Sequence, residues 1–193
     1  MPLNTIHKPL IRQQLLASAS AWETATCPQA SVLLLLCPEP SAAFTLLTLR
    51  AEALPLHAGQ ISFPGGRREV DDPSPEATAL RESREEIGLP ETLVELLGRL
   101  PQVIVSSGIM ITPVVGWCEA LPPLVPNPSE VTALIKLPLS LALNPAIYGR
   151  TEKISDTGRR EFLYLEHENH YVWGATATIL HSLAHALASL HPL

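Results

Sequence analysis

The chain has 193 residues, enough for one domain of ordinary size with a substantial core. Nineteen acidic side chains against thirteen basic ones leave a net charge of −6, which argues against a protein that coats nucleic acid. No apolar run approaches the roughly 18 residues of a membrane span, so no membrane association is expected.

The first residues, Met1 to Lys8, lack a basic stretch followed by an apolar one, so no secretion signal is read and a cytoplasmic protein is expected. Cys27, Cys37 and Cys118 are odd in number and without C-x-x-C spacing, which fits reduced cysteines in or near a core. With no internal repeat or low-complexity linker, residues 1–193 are expected to form a single domain.

Residues 8–22 read as an amphipathic helix with Leu10, Ile11, Leu15 and Leu16 on one side; with Cys27-Pro28 ending it, residues 1–29 form an N-terminal extension. The apolar run 30–37 predicts a strand buried on both faces, and after a turn at 38–41 a second strand follows at 43–49. The two read as a hairpin near the middle of a sheet. A loop then leads through His57, Gly59, Gln60 and Phe63-Pro64 into Gly65-Gly66. Gly59, Gly65 and Gly66 fit places where the backbone bends tightly or approaches a ligand closely. Arg50, at the end of the second strand, has the geometry to bind a substrate phosphate in two places, or to make a structural ion pair. His57 is either a ligand contact or a loop histidine satisfied by backbone.

Residues 65–89 carry the strongest pattern. Ser74 is a good N-cap, Pro75 suits the first helical position and Gly88 supplies a left-handed stop, so a helix is predicted at 75–87. On a helical wheel Ala77, Leu80, Ser83 and Ile87 share one side, and Glu82, Glu85 and Glu86 share the other. Like charges at that spacing repel, so a helix face that accepts them calls for a cation. Carboxylate oxygens are hard ligands, and one or two of them with substrate phosphates suit Mg²⁺ or Mn²⁺. Small Thr78 and Ala79 beside the glutamates leave room for a bulky polyanion. An ordinary solvated face, with Arg81 paired to Glu85, is the competing reading.

Beyond the helix, strands are expected at 93–100 and 109–118, with a loop or short edge strand at 103–108. Pro113 lacks a ladder donor and points to an edge or bulge. A proline-rich loop at 121–128 ends at Ser129-Glu130 before a strand at 131–137. A hairpin around Asp156-Thr157-Gly158, a last strand at 171–173 and a C-terminal helix at 174–190 complete the chain. His181 and His185 have the spacing of a metal pair but no intervening glutamate of the H-E-x-x-H kind, so they read as exposed.

The 65–89 segment resembles the Nudix box, G-x5-E-x7-R-E-U-x-E-E-x-G-U with U aliphatic. Gly66, Arg81-Glu82, Glu85-Glu86 and Gly88-Leu89 match. Asp72 stands at the loop acid's place, one residue further from Arg81 than the pattern has it, and Ser83 replaces an aliphatic residue. The stretch 46–66 is similar to the additional signature of the coenzyme A diphosphatase branch, L-L-T-x-R-S-x3-R-x3-G-x3-F-P-G-G. Arg50, Gly59 and Phe63 to Gly66 match it; Ala51 and Pro55 replace its Ser and second Arg, the latter removing one potential phosphate contact. Residues 111–116 and 171–177 also resemble that branch.

The resemblance implies an α/β/α sandwich around a mixed sheet, and hydrolysis of coenzyme A to 3′,5′-ADP and 4′-phosphopantetheine. It implies Mg²⁺ or Mn²⁺ held by Glu82, Glu85 and Glu86, with Arg81 orienting them and Arg50, His57, Gly59, Phe63, Gly65 and Gly66 meeting the substrate. Glu130 stands where the family often places a further acid reaching the metal from a loop; a surface glutamate is the alternative. Either Glu82 or Glu130 accepts the attacking water's proton. The rivals are hydrolysis of another nucleotide (ADP-ribose, NADH or a nucleoside triphosphate) and a non-catalytic binding module. The partner is a small nucleotide, and the protein a monomer or homodimer.

Overall fold

The strand Gln29–Cys37 (β1) has an all but continuous apolar sequence because both of its faces are covered. We describe it from a computed structural model covering residues 8–15, 26–39, 41–155 and 158–188. On one edge β1 runs parallel to Met110–Trp117 (β7), in register from Gln29↔Met110 to Leu36↔Trp117. On its other edge it meets Phe44–Arg50 (β2) through only two antiparallel pairs, Leu36↔Thr45 and Cys37↔Phe44. β2 then parts from β1, and the segment that follows β2 fills the opening. Ile61–Ser62 (β3) pairs with β2, and Gly65–Arg67 (β4) pairs with β1. The Pro64 carbonyl accepts the Leu33 N–H at 2.8 Å in the crossing.

Glu95–Arg99 (β5) and Val103–Ile104 (β6) pair with β7, and Val131–Pro138 (β8) with β2, completing an eight-stranded mixed sheet. A three-stranded antiparallel sheet follows: Gly149–Ser155 (β9), Gly158–His167 (β10) and His170–Trp173 (β11).

The helices take opposite faces of the main sheet. Pro75–Ile87 (α2) packs Ala79 and Ile87 against Leu33, Leu35, Phe44, Leu46 and Val114. Lys8–Leu15 (α1) and Gly174–Leu187 (α4) bury Ile11, Leu15, Ile179, Leu180 and Leu183 against Leu34, Leu36, Leu47 and Val115. The short helix Leu139–Ala142 (α3) joins that second cluster. This is the expected α/β/α arrangement in a single domain. Residues 16–22 of the expected first helix and 189–190 of the last lie outside the described residues, as do Asp156 and Thr157 of the hairpin turn.

Two expectations change. Pro113 lies on an interior strand, not an edge. Its carbonyl accepts the Leu100 N–H at 3.0 Å, and a strand residue's N and O point to the same side. The missing donor therefore faces the break between β5 and β6, beside Leu100. His181 is half-buried, its ring 5.1 Å from that of Tyr148 and its Nε2 3.2 Å from that of His185. Burial first, then the charges of His185 and Arg150, hold its pKa below the usual value.

Candidate active site

The α2 helix is set at both ends by its own sequence. The Ser74 hydroxyl accepts the Ala77 N–H at 3.2 Å, Pro75 opens the first turn, and Gly88 closes the last at φ 68° with its N–H on the Arg84 carbonyl. The face it turns to the sheet differs from the one the wheel selects. Thr78, Ala79, Ser83, Glu86 and Ile87 are buried, whereas Ala77 and Leu80 remain partly exposed. The polar members are tolerated because each is bonded: Thr78 donates to Asp72 at 2.9 Å and Ser83 to the Ala79 carbonyl at 2.6 Å. Thr78 and Ala79 thus fill the helix–sheet contact and leave no room there for a polyanion.

Glu86, 2 % exposed, is the most deeply placed of the three glutamates. Its Oε2 accepts the Gly65 N–H at 3.0 Å, and Arg50 Nη1 stands 3.5 Å from Oε1. Glu82 lies one turn earlier on the same side, its carboxylate directly over β4: a β-carbon on Gly66 would overlap it. Gly65 has the same necessity from below. At φ 151°, a β-carbon there would overlap the Ser31 carbonyl and come within 2.6 Å of Val32 Cα. Glu85 is more exposed and sits at the rim, where it accepts from Arg81 Nη1 at 2.9 Å.

Arg81 holds this face together. It donates from Nε and Nη2 to the two oxygens of Asp72 (3.1 and 3.0 Å), and from Nη2 also to Glu82 (3.1 Å) and the Arg67 carbonyl (3.0 Å). Asp72 is buried and accepts further from the Glu69 N–H and the Thr78 hydroxyl, both at 2.9 Å. Burial works to raise its pKa, but the Arg81, Glu69 and Thr78 hydrogen bonds prevail and hold it below the usual carboxylate range. The changed spacing at residue 72 is accommodated because Asp72 anchors the arginine from the loop between β4 and α2.

Glu130 enters from the proline-rich loop. The loop is stitched to the end of α2 by Val125 N–H on the Ile87 carbonyl (3.1 Å) and Asn127 N–H on the Glu86 carbonyl (2.8 Å). Asn127 Nδ2 donates to Glu130 Oε1 at 3.0 Å, and the Glu130 carbonyl accepts the Ala51 N–H at 2.8 Å. Asn127, which sequence reasoning missed, positions this acid; an asparagine opening an N-P-S-E turn was the available signal. Arg50 sits at a register shift in β2 between Leu49 and Arg50, the kind of irregularity that re-aims a side chain.

The other expected substrate contacts divide. Gly59 closes the loop after Arg50, its N–H on the Arg50 carbonyl at 3.2 Å. His57 is exposed at φ 57°, with Nδ1 3.0 Å from Gln60 Oε1, so a side chain and not backbone satisfies it. Phe63 is 2 % exposed in the larger core cluster, on the α4 side of the sheet, so it packs and does not face a ligand.

Burial first, then the charges of Glu82 and Glu130, push the Glu86 pKa up to about 7 against the pull of Gly65 and Arg50. Glu82 is raised too, by burial and then by Glu85 and Glu130, despite Arg81. Among the described residues no three acidic, histidine or cysteine side chains converge into a ready-made metal cage. The donor set nonetheless suits a hard divalent ion that shares its shell with water and phosphate: Glu82, Glu85 and Glu86 are oxygen donors, and neighbouring carboxylates work against the charges of Glu82 and Glu86.

The NUDIX domain pattern matches residues 28–137, which span β1 to β8. The chain is 42% identical over 168 residues to an uncharacterized Nudix hydrolase, NudL, of Yersinia pestis (strain Pestoides F), covering 86% of this chain and 82% of that protein. A Nudix hydrolase of M. smegmatis, RenU, superposes with a TM-score of 0.50 at 28% identity, over 58% of this chain and 71% of that one. A MutT/nudix family protein of Enterococcus faecalis shares the fold, with a TM-score of 0.54 at 16% identity over 94% and 73% of the two chains. These likenesses are to hydrolases of phosphoric anhydrides in nucleotide derivatives. The chain belongs to the Nudix hydrolase family.

Proposed function

We propose that the chain is a coenzyme A diphosphatase that cleaves coenzyme A, or an acyl form of it, to 3′,5′-ADP and 4′-phosphopantetheine. The observation that carries this reading is the meeting of two segments. Glu82 and Glu86, from the Nudix box, close over Gly65-Gly66, and Arg50, from the segment similar to the coenzyme A branch, reaches Glu86.

In this reading Glu82, Glu85 and Glu86 hold Mg²⁺ or Mn²⁺. A bound divalent ion supplies charge neutralisation at the diphosphate and a lowered pKa for an attacking water. The chain's own residues do the rest. Arg81 keeps Glu82 and Glu85 aimed while itself anchored on Asp72. Either Glu82 or Glu130, the latter bonded to Asn127, accepts the water's proton; general-base help of this kind contributes ~10²–10⁴-fold. Arg50 offers a cationic group to a phosphate oxygen. The enzyme works in the cytoplasm on a small nucleotide, as a monomer or homodimer.

Product analysis after incubation of coenzyme A with the protein and Mg²⁺ or Mn²⁺ tests the reading, with ADP-ribose, NADH and nucleoside triphosphates turned over in parallel. Formation of 3′,5′-ADP at the highest kcat/KM of the set is expected. Faster turnover of ADP-ribose would transfer the assignment to another nucleotide, the alternative that Pro55 in place of an arginine favours. No turnover of any would leave a binding module.

A further inference from the structure

Both carboxylate oxygens of Glu86 already face donors from the chain. The Gly65 N–H lies on Oε2 at 3.0 Å, and Arg50 Nη1 stands 3.5 Å from Oε1. At the other end of the ion pair, Arg50 Nε is buried and finds no hydrogen-bond acceptor among the described residues. A guanidinium held loosely by one carboxylate, with a buried N–H unmet, is incompletely satisfied; a second oxygen acceptor would complete it. The backbone beneath is fixed, with Arg50 N–H on the Gln60 carbonyl at 3.0 Å and its carbonyl accepting Gly59 N–H at 3.2 Å. Any rearrangement therefore belongs to the side chain.

We propose that Arg50 is the resident counter-ion of Glu86, and that it gives up this carboxylate for a phosphate oxygen of the substrate when a divalent cation binds. A guanidinium and a divalent ion repel strongly when both lie against one buried oxygen, so the two compete for Oε1. Released, the guanidinium offers its Nε and Nη edge to two phosphate oxygens, which fills the vacancy at Nε. Cation and substrate then assist one another by the same factor in both directions, because each favours the same position of Arg50. This rests on the reading of Glu86 as a metal ligand.

The experiment is Mn²⁺ binding by titration calorimetry at pH 8.5 without substrate, for the wild type, Arg50→Gln and Glu86→Gln. Melting temperatures are taken in EDTA and in saturating Mn²⁺. Removal of the competing charge is expected to tighten Mn²⁺ binding about 5-fold in Arg50→Gln. Its melting temperature should fall below wild type in EDTA, with the gap closing in Mn²⁺. Equal or weaker Mn²⁺ binding, or the same gap in both conditions, would overturn the exchange and leave a fixed structural pair. If Arg50→Gln does not fold, Arg50→Lys serves, since its single-point ammonium grips the carboxylate less well. Tighter Mn²⁺ binding in that variant supports the exchange, and equal or weaker binding overturns it. Glu86→Gln separates the two levels: Mn²⁺ binding as in the wild type removes the ligand assignment itself. A loss there of at least ~10-fold, with Arg50→Gln unchanged, removes the exchange alone.

Discussion

Gly66 and Glu82 share one space: the glutamate carboxylate lies where a β-carbon on residue 66 would have to stand. The obstacle is the far end of a flexible side chain, so Gly66→Ala displaces Glu82 and spares the backbone. Turnover should fall about 10- to 100-fold, the scale of a ~1 Å misplacement at a reacting centre, with the melting temperature nearly unchanged. Gly65→Ala meets the backbone of Ser31 and Val32 instead and should lose about 3 kcal/mol of stability or fail to fold. Steady-state kinetics beside urea unfolding distinguish the two; similar stability losses would refute the geometry.

Glu86→Gln keeps shape and the Gly65 hydrogen bond while removing the charge. At least a ~100-fold loss of kcat with an intact fold is expected. The same group controls stability. Its folded pKa of about 7 exceeds the ordinary 4.5, so the folded state binds the proton more tightly. In metal-free protein, its contribution is complete below pH 4.5 and is lost as pH rises through about 7, a change of a few kcal/mol at most. Denaturant midpoints across that range should decline in EDTA, and the decline should flatten in Glu86→Gln.

Arg81→Ala leaves Asp72 a buried carboxylate without its counter-charge, held only by the Glu69 N–H and the Thr78 hydroxyl. A loss of about 3–5 kcal/mol follows, with turnover falling as Glu82 and Glu85 lose their common donor. Asp72 has a depressed folded pKa, so its stabilisation is present above the ordinary 3.8 and disappears as pH falls through the folded value. Acid unfolding followed by circular dichroism should therefore move to lower pH in the wild type than in Asp72→Asn.

Phe63→Leu tests the core placement. About 1 kcal/mol of stability should be lost, on the scale of a modest change in buried shape, and KM for the nucleotide should stay within twofold. A fivefold change in KM without loss of stability would return Phe63 to the substrate.

The helix was legible end to end because its signals are local: Ser74, Pro75 and Gly88 each act on their own turn. The glutamate spacing was legible for the same reason. What a wheel misplaces is the face, since Thr78, Ser83 and Glu86 become acceptable neighbours of the sheet only through bonds they make. Two of the partners, Asp72 and the Gly65 N–H, come from outside the helix. Arg50 was visible as a cation near the site, yet its pairing with Glu86 arises from strands and helix meeting over β1, which no local pattern records. Phe63 reads as part of a glycine-rich motif but is claimed by packing. Pro113 reads as an edge or a bulge because sequence cannot show that the neighbouring strand is interrupted opposite it.

Strand β1 pairs in parallel with a partner about eighty positions later; the Ser31 hydroxyl reaches the Thr112 carbonyl across a separation of 81. During synthesis its leucine-rich middle must therefore wait, uncovered along one edge, until β7 has emerged. Chains stalled or cleaved before that point would carry a sticky, unpaired segment and no assembled catalytic centre. The strand that supports the chemistry is thus also one whose edge stays open until late in synthesis.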